Sequence, residues 1–193
     1  CEAINAEQVR ALGEEDFRDR LVPYLADIYP DPTGDAVQAP LVSAASFDEL
    51  SAREQEILTA AAPLIQTRIQ LLRECRDMLG FLFVSDGDLV IDDRARTKLK
   101  ASAGDVLDAG VHALEGIAAE QWSRDHLEEA LKDAIVEGRG MPDGEGIKPR
   151  LAYGPLRVAV TGRQVSPPLF ESMEILGADS TLARLRALRD QLG

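Results

Sequence analysis

Residues 146–170, GIKPRLAYGPLRVAVTGRQVSPPLF, contain four cations and no carboxylate. The cations are Lys148, Arg150, Arg157 and Arg163, whereas the whole chain has a formal net charge of -13 at pH 7. Such side chains bind phosphates, and a planar guanidinium also meets base edges. Because the local field near a contact governs docking more than the total charge does, this stretch predicts a nucleic-acid interface.

The end of the same stretch predicts a second binding feature. Ser166 followed by Pro167 is typical of a helix N-terminus, with serine as the cap and proline as the first helical residue. Helix N-termini attract anions, and flat apolar side chains stack on exposed bases. We therefore expect the segment from Ser166 through Pro167 and Pro168 to Leu169 to offer polar and flat groups to unpaired nucleotides.

A further cation, Arg68, stands in an apolar setting. If APLIQTRIQLLRECRDML, residues 62–79, is one helix, Arg68 lies in the middle of the arc that faces the core. One explanation is that its stem runs along apolar surface and carries the charge to water or to a carboxylate. The other is that packing holds the guanidinium rigid, so that it can meet a phosphate or a base edge.

Patterns for catalysis or metal binding do not emerge from the sequence. His112 and His126 have no cysteine or acidic ligand at metal spacing. DGDLVIDD has two aspartates at the interval of a calcium loop, but Val90 and Ile91 replace a ligand and the required glycine. GRGMPDG lacks the third glycine of a dinucleotide fingerprint and the lysine of a phosphate loop. We expect no catalytic residue and no metal site in these residues.

Helical periodicity dominates the sequence, so the candidate groups are expected on or between helices. Capping-box patterns occur at Asn5–Gln8, Ser46–Glu49 and Ser51–Glu54, and either of the last two could begin the same helix. Pro63 suits the start of a second helical stretch, and FLFV at 81–84 is the one candidate for a short strand. We predict an all-α architecture of about eight or nine helices, with a division near residue 90.

Composition limits the class of protein. With 193 residues, of which 45% are hydrophobic, the chain can form one large domain or two small ones. It has no apolar run of the roughly 18 residues that a membrane span needs and no signal-peptide pattern, so we expect a soluble, cytoplasmic protein. Cys1 and Cys75 do not make a disulfide framework. Because the sequence begins with cysteine and not methionine, we expect a piece of a longer protein.

Three segments resemble one known family in colinear order. KPRLAYGPLRVAVTGRQVSPPLFESMEILG is similar to the C-terminal segment of bacterial glutamyl-tRNA synthetases, most specifically at residues 155–177. APLIQTRIQLLRECRDMLGFLF resembles a helix pair earlier in that region. CEAINAEQVRAL looks like the passage from the tRNA stem-contact region into the anticodon-binding part. KLKAS at 98–102 faintly resembles the KMSKS signature of class I synthetases, but its second lysine is one place too early and no HIGH motif accompanies it.

The resemblance implies an architecture. It places the end of the stem-contact region at residues 1–11. Two helical subdomains, 12–90 and 91–193, would then form a cage around the anticodon loop. The catalytic Rossmann-type domain, with its HIGH and KMSKS motifs, would lie outside these residues. The parent enzyme would ligate glutamate to tRNA(Glu) with ATP and Mg²⁺, whereas these residues would need no cofactor and would be inactive alone.

The resemblance also assigns site residues. It implies that Arg68 reads the third anticodon base. It implies further that Ser166, Pro167 and Leu169 contact the first anticodon bases, and that Arg157, the arginine of the PLR motif, also binds the anticodon. The resemblance does not assign the other cations of the acid-free stretch. Their charge makes them candidates for phosphate contacts, namely Lys148, Arg150 and Arg163.

Partners and alternatives complete the expectations. The expected partner is tRNA(Glu), and tRNA(Gln) is left open. We expect neither DNA nor a membrane as a ligand. We also expect the protein to be a monomer. A different hypothesis is a stand-alone helical module that kept the fold while it came to bind a protein. A complete enzyme with its own active site is the weakest alternative, because no coherent nucleophile, metal or phosphate motif supports it.

Overall fold

The computed structural model of the chain describes residues 5–26 and 39–193. Within these two ranges the backbone forms ten α-helices, several short 3₁₀ segments and no strand, so the predicted all-α architecture is confirmed. The chain divides into two compact units, Cys1–Val84 and Ser85–Gly193. The subdomain bounds implied by the resemblance stay predictions. No helix of the described ranges has the length and apolar character that crossing a bilayer requires.

The first unit contains four of the helices. They are α1 (Ala6–Ala11), α2 (Glu14–Leu25), α3 (Ala52–Ile65) and α4 (Cys75–Leu79). Helix α2 packs against α3 and α4. The sequence has apolar residues at helical spacing at Phe17, Leu21, Leu25 and Ile28. The first three are buried in α2, and Ile28 lies outside the described residues. The core is built from large side chains with no exposed surface, namely Phe17, Leu21, Leu25, Leu58, Ile65 and Leu79.

Two capping boxes begin helices in this unit. At α1, the Gln8 N–H donates to Asn5 Oδ1 at 3.1 Å, and the Asn5 N–H donates to Gln8 Oε1 at 3.2 Å. At α3, the N–H groups of Ser51 and Glu54 make the same reciprocal pair of bonds with the two side chains. The structure therefore selects Ser51 over Ser46, which precedes a 3₁₀ turn and makes no capping bond.

Two local predictions in this unit were wrong. Pro63 does not begin a helix, because it lies inside α3 near its C-terminal end. It is tolerated because Pro63 and Thr59 are exposed, and water can replace the hydrogen bond that the proline nitrogen cannot donate to the Thr59 carbonyl. FLFV is not a strand, because Gly80–Leu82 forms a 3₁₀ turn that buries Phe81 and Leu82.

The second unit contains the other six helices. They are α5 (Asp93–Thr97), α6 (Ala103–Glu115), α7 (Arg124–Leu131), α8 (Pro149–Thr161), α9 (Leu169–Leu176) and α10 (Ala178–Leu192). Helices α6, α8 and α10 pack together as the centre of the unit. Gly110 of α6 permits this approach, because a Cβ atom there would lie 2.9 Å from Leu156 Cδ2. A larger residue at this position would require the Leu156 side chain to move.

A π-turn, Lys132–Val136, continues α7 and leads into the loop before α8. In this wider turn the Glu137 N–H donates to the Lys132 carbonyl five residues back. The carbonyls of Ala134 and Ile135 accept from the N–H groups of Gly140 and Ile147, at 2.8 and 3.3 Å. The base of the loop is therefore hydrogen-bonded to the turn that precedes it.

A buried arginine ties the start of the second unit to its core. Arg184 of α10 is 2% exposed, and its Nε donates to Asp86 Oδ1 at 2.7 Å. Its Nη1 donates to the Val160 carbonyl of α8 at 2.8 Å. Ser180 Oγ donates to the other carboxylate oxygen of Asp86 at 3.0 Å. This network fixes the segment before α5 against α8 and α10.

Candidate nucleic-acid interface

A groove of about 770 Å³ opens on the second unit. One side comes from α5 and the turn after it, and the other comes from α8 and the loop that follows α8. Among the described residues, four cations and no aspartate or glutamate line this groove. The cations are Lys98, Lys100, Arg150 and Arg157.

Helix α8 presents its cations and its core residues on different faces. It begins with Pro149, whose missing N–H is not needed at the first helical position. Arg150, Gly154 and Arg157 recur at helical spacing and line the groove, whereas Leu156 and Val160 are buried on the other face. The acid-free sequence thus becomes one basic helix face above an apolar core.

The apolar part of the groove is also held in place. Tyr153 of α8 lines the groove and meets the Phe170 ring of α9 edge to face, with ring centroids 5.2 Å apart and an interplanar angle of 89°. Burial, followed by the nearby Glu128 carboxylate, raises the pKa of the Tyr153 hydroxyl, so this group stays neutral. Leu151 and Val158 add further apolar lining.

Arg157 is anchored by the loop after α8. Its Nη1 donates to Ser166 Oγ at 2.5 Å and to the Pro167 carbonyl at 3.1 Å. Ser166 Oγ in turn donates to the same carbonyl at 2.7 Å. The guanidinium is half-buried, and Ser166 is only 7% exposed. The structure therefore brings three of the predicted site residues, Arg157, Ser166 and Pro167, into direct contact, and fixes the plane of the arginine fork.

The prediction that Ser166 caps a helix was wrong. Helix α9 begins at Leu169, and Pro168 occupies the cap position. The helical conformation is disfavoured for a residue before a proline, which explains why Pro167 lies outside α9 when Pro168 follows. Pro167 is buried and Leu169 is 3% exposed, so these two predicted contacts support the loop from within. The exposed apolar side chain of this loop is Val165, which is 72% exposed.

A glycine connects the two sides of the groove. Gly162 ends α8 in the left-handed region, with φ of 76°, and a Cβ atom there would lie 2.3 Å from the Val90 carbonyl oxygen. The Asp92 N–H donates to the Gly162 carbonyl at 2.7 Å. The segment that leads into α5 is therefore pinned beside the end of α8, which places Lys98 and Lys100 in the same groove as Arg157.

The three predicted phosphate contacts are separated by the structure. Arg150 lines the groove, whereas Lys148, at the cap position of α8, and Arg163, just after α8, are exposed outside its lining. Lys98 and Lys100 were missed by the sequence reasoning. Their signal is the pattern Lys-Leu-Lys directly after a short helix, in which Leu99 is half-buried and both lysines are exposed.

Arg68 belongs to the first unit, and its predicted packing was wrong. Helix α3 ends at Ile65, and the N–H groups of Arg68 and Ile69 both donate to the Ile65 carbonyl, at 2.8 and 3.1 Å. The chain thus turns at this point, so the helical wheel does not apply and the Arg68 side chain is exposed. Within residues 5–26 and 39–193 its guanidinium has no hydrogen-bond or ion-pair partner.

Other chemistry is not supported by the described part of the chain. No group of three or more histidine, cysteine, aspartate or glutamate side chains there could hold a metal ion. Cys75 is buried, and burial raises the pKa of its thiol to about 12, so it is not a nucleophile at neutral pH. His126 is occupied, since its Nδ1 is hydrogen-bonded to Ser123 Oγ at 2.8 Å.

An all-helical unit with a cation-lined groove free of carboxylates has the features of the class of helical nucleic-acid-binding domains. A comparison with protein families makes this specific. Residues 13–189 match the family described as anticodon binding domain. The chain belongs to this family, and the resemblance found in the sequence is confirmed.

Individual relatives agree with the family. The chain is 49% identical over 190 residues to a glutamate–tRNA ligase of Bifidobacterium adolescentis, covering 98% of this chain and 34% of that protein. It is 51% identical over 192 residues to the glutamate–tRNA ligase of Kineococcus radiotolerans, again 34% of that protein. The chain therefore spans about a third of the length of these curated relatives.

A solved structure shares the fold. The crystal structure of a glutamate tRNA ligase from Elizabethkingia meningosepticum, in complex with its amino acid, aligns with a TM-score of 0.62. The alignment covers 98% of this chain and 31% of that chain at 15% sequence identity. At this identity the likeness concerns the fold alone.

Proposed function

We propose that this chain binds the anticodon loop of tRNA(Glu) as one part of a glutamate–tRNA ligase, which joins glutamate to tRNA(Glu) with the use of ATP. The observation that carries the proposal is the anchored Arg157 fork in a basic groove, on a chain of the anticodon-binding domain family. The relatives of about 50% identity name the reaction of the whole enzyme.

In this proposal Arg157 reads an unpaired base. Bases in a splayed RNA loop expose their Watson–Crick edges, which a guanidinium can meet with two parallel hydrogen bonds. Ser166 and the Pro167 carbonyl orient the Arg157 fork before RNA arrives, so less conformational entropy is lost on binding. Leu169 is buried under this loop and keeps it in place. Ser166, Pro167 and Leu169 thus act together with Arg157 on the first anticodon bases.

Arg68 is proposed to read the third anticodon base. Its exposed guanidinium has no competing partner in the described residues, so a base edge would not have to displace one. The turn that carries Arg68 is held against the end of α1, because Gln66 Nε2 donates to the Val9 and Leu12 carbonyls at 3.0 and 2.9 Å. A flexible side chain on a fixed turn suits the capture of a single base.

Lys148, Arg150 and Arg163 are proposed as phosphate contacts. Phosphate contacts position the RNA without reading its sequence, and they make affinity depend on salt. Arg150 has the strongest support, because it lines the groove together with Arg157.

The catalytic reaction of the parent enzyme is not attributed to these residues. We propose that glutamate activation, with ATP and Mg²⁺, takes place in a part of the enzyme outside these residues, and that these residues alone are catalytically inactive. The enzyme would act in the cytoplasm, and this part would bind RNA as a monomer. tRNA(Gln) remains a second possible substrate, which the same binding assay can compare with tRNA(Glu).

The test is a titration of the chain against fluorescent anticodon stem-loops that differ at one base. Changing Arg68 to alanine should weaken binding of the glutamate stem-loop by about 1 to 3 kcal/mol and reduce discrimination at the third anticodon base. Arg73→Ala is a matched control, because Arg73 is an exposed cation of the same unit outside the proposed site. Binding that ignores the third base in the unchanged protein would refute the role of Arg68. The absence of RNA binding at low salt would refute the function and favour a protein-binding module.

A further inference from the structure

We propose that Lys98 and Lys100 bind phosphates of the RNA strand that occupies the groove, and that they form its second basic wall beside the one on α8. The inference rests on the proposed function of the groove as an RNA site. It extends that function to a segment about fifty residues earlier in the chain than the acid-free stretch.

The positions of Lys98 and Lys100 in the groove indicate that both bind the same ligand. Both are exposed and both line the groove, together with the half-buried Leu99 between them. In the described residues neither ammonium group has a hydrogen-bond or ion-pair partner. Carboxylates are abundant in this acidic chain, yet none of those described pairs with either lysine at the groove. Both ammonium groups can therefore bind an anionic ligand from outside.

The backbone that carries these lysines is fixed, although their side chains are long. The Leu99 N–H donates to the Arg96 carbonyl at 3.2 Å, and the Ala103 N–H donates to the Lys100 carbonyl at 3.0 Å. Arg96 Nη2 donates to Gln191 Oε1 of α10 at 2.6 Å. The wall therefore has a defined position, and the ammonium groups can follow a phosphate backbone by rotamer changes alone.

The charge of the groove identifies the class of ligand. Lys98, Lys100, Arg150 and Arg157 repel one another in the free protein, since no carboxylate lines the groove among the described residues. A chain of phosphates removes this repulsion at each contact. The apolar lining, which includes Leu151 and Tyr153, provides flat surface beside the cations, as unpaired bases require. An RNA strand meets both conditions, whereas an acidic peptide meets only the first.

The size of the effect follows from counterion release. For single-stranded nucleic acid, each neutralised phosphate makes the slope of log affinity against log salt more negative by about 0.7. If such a contact contributes nothing at about 1 M salt, it contributes about 8-fold in affinity at about 50 mM and about 3-fold at about 200 mM. The double variant K98A/K100A should therefore lose about 60-fold at about 50 mM and about 10-fold at about 200 mM.

The experiment measures anisotropy of a fluorescein-labelled glutamate anticodon stem-loop with the 193-residue chain at several salt concentrations. K98A/K100A is compared with Lys132→Ala, which removes an exposed lysine of the same unit outside the groove, and with K98R/K100R, which keeps both charges. We expect the double alanine variant to lose affinity and salt dependence equally for matched and mismatched anticodons. The arginine variant should bind like the unchanged protein, and circular dichroism should show the same helix content for all four proteins.

Distinct outcomes separate this inference from the proposed function. If the unchanged chain selects its anticodon but K98A/K100A loses no more per lysine than Lys132→Ala, the lysine wall is wrong and the proposed function stands. If the unchanged chain shows no anticodon selection, both are wrong. If a polyglutamate peptide of equal charge binds as tightly as the RNA, the groove is a site for acidic protein and the inference is overturned.

Discussion

Replacing Gly162 with alanine should separate the two walls of the groove. Three costs can be worked out from the structure. A left-handed conformation at φ of 76° costs an alanine about 1 to 2 kcal/mol. The new Cβ would lie 2.3 Å from the Val90 oxygen, and a displacement large enough to relieve this overlap costs about 1 to 3 kcal/mol. Loss of the hydrogen bond from the Asp92 N–H adds about 0.5 to 1.5 kcal/mol.

The sum predicts that Gly162→Ala lowers the free energy of unfolding by about 2.5 to 6.5 kcal/mol. Gly144→Ala is the matched control, because Gly144 has φ of 71° and nothing within 4 Å of a built Cβ. It should therefore lose only the strain of the backbone, about 1 to 2 kcal/mol. Urea unfolding followed by circular dichroism measures both values.

A comparison of the two variants decides the point. If Gly162→Ala and Gly144→Ala lose the same free energy of unfolding, the close approach of Gly162 to Val90 does not exist in solution. The account of how the groove is assembled would then be wrong. If Gly162→Ala is the more destabilising, its RNA affinity at intermediate urea concentrations should fall together with its folded fraction.

Three further predictions concern single side chains. Arg157→Lys keeps the charge but not the planar fork, so stem-loop titrations should show about 1 to 3 kcal/mol less base discrimination with an unchanged salt slope; unchanged discrimination would contradict this. Arg184→Ala removes the buried partner of Asp86, whose side chain is 37% exposed, and should cost about 2 to 4 kcal/mol in urea unfolding; a loss below about 1 kcal/mol would argue against the network. Burial raises the pKa of Glu54, but hydrogen bonds from Ser43 and Ser51 outweigh this effect and leave the pKa lowered. The contribution of Glu54 to the free energy of unfolding is therefore complete above about pH 4.3, and it disappears as the pH falls through the lowered pKa. The stability gap between the unchanged chain and Glu54→Gln should thus shrink between about pH 7 and about pH 2, and a constant gap would exclude the mechanism.

Local signals in the sequence predicted the helices well. The capping boxes at Asn5 and Ser51 depend on interactions between residues a few positions apart. Such interactions are visible in a single sequence, because both partners lie in one short window. The all-α class followed from the same periodicity.

The errors in the predicted site have non-local causes. The helical wheel assumed that α3 continues past Arg68, but the turn is held by Gln66, which bonds carbonyls more than fifty residues earlier. Lys98 and Lys100 were not connected with α8 because the bond between Asp92 and Gly162 joins residues that are far apart in sequence. No periodic pattern encodes such contacts, so the groove could only be recognised once the backbone was known.

The π-turn at the end of α7 determines where residues can be inserted into or deleted from this domain. Hydrogen bonds from Gly140 and Ile147 clamp both roots of the following loop, whereas its tip, residues 142–145, is exposed. Insertions and deletions are tolerated at such tips and rejected at clamped roots. Evolution or a protein engineer can therefore graft a peptide, a tag or a second binding module at the tip and leave the register of α8 unchanged.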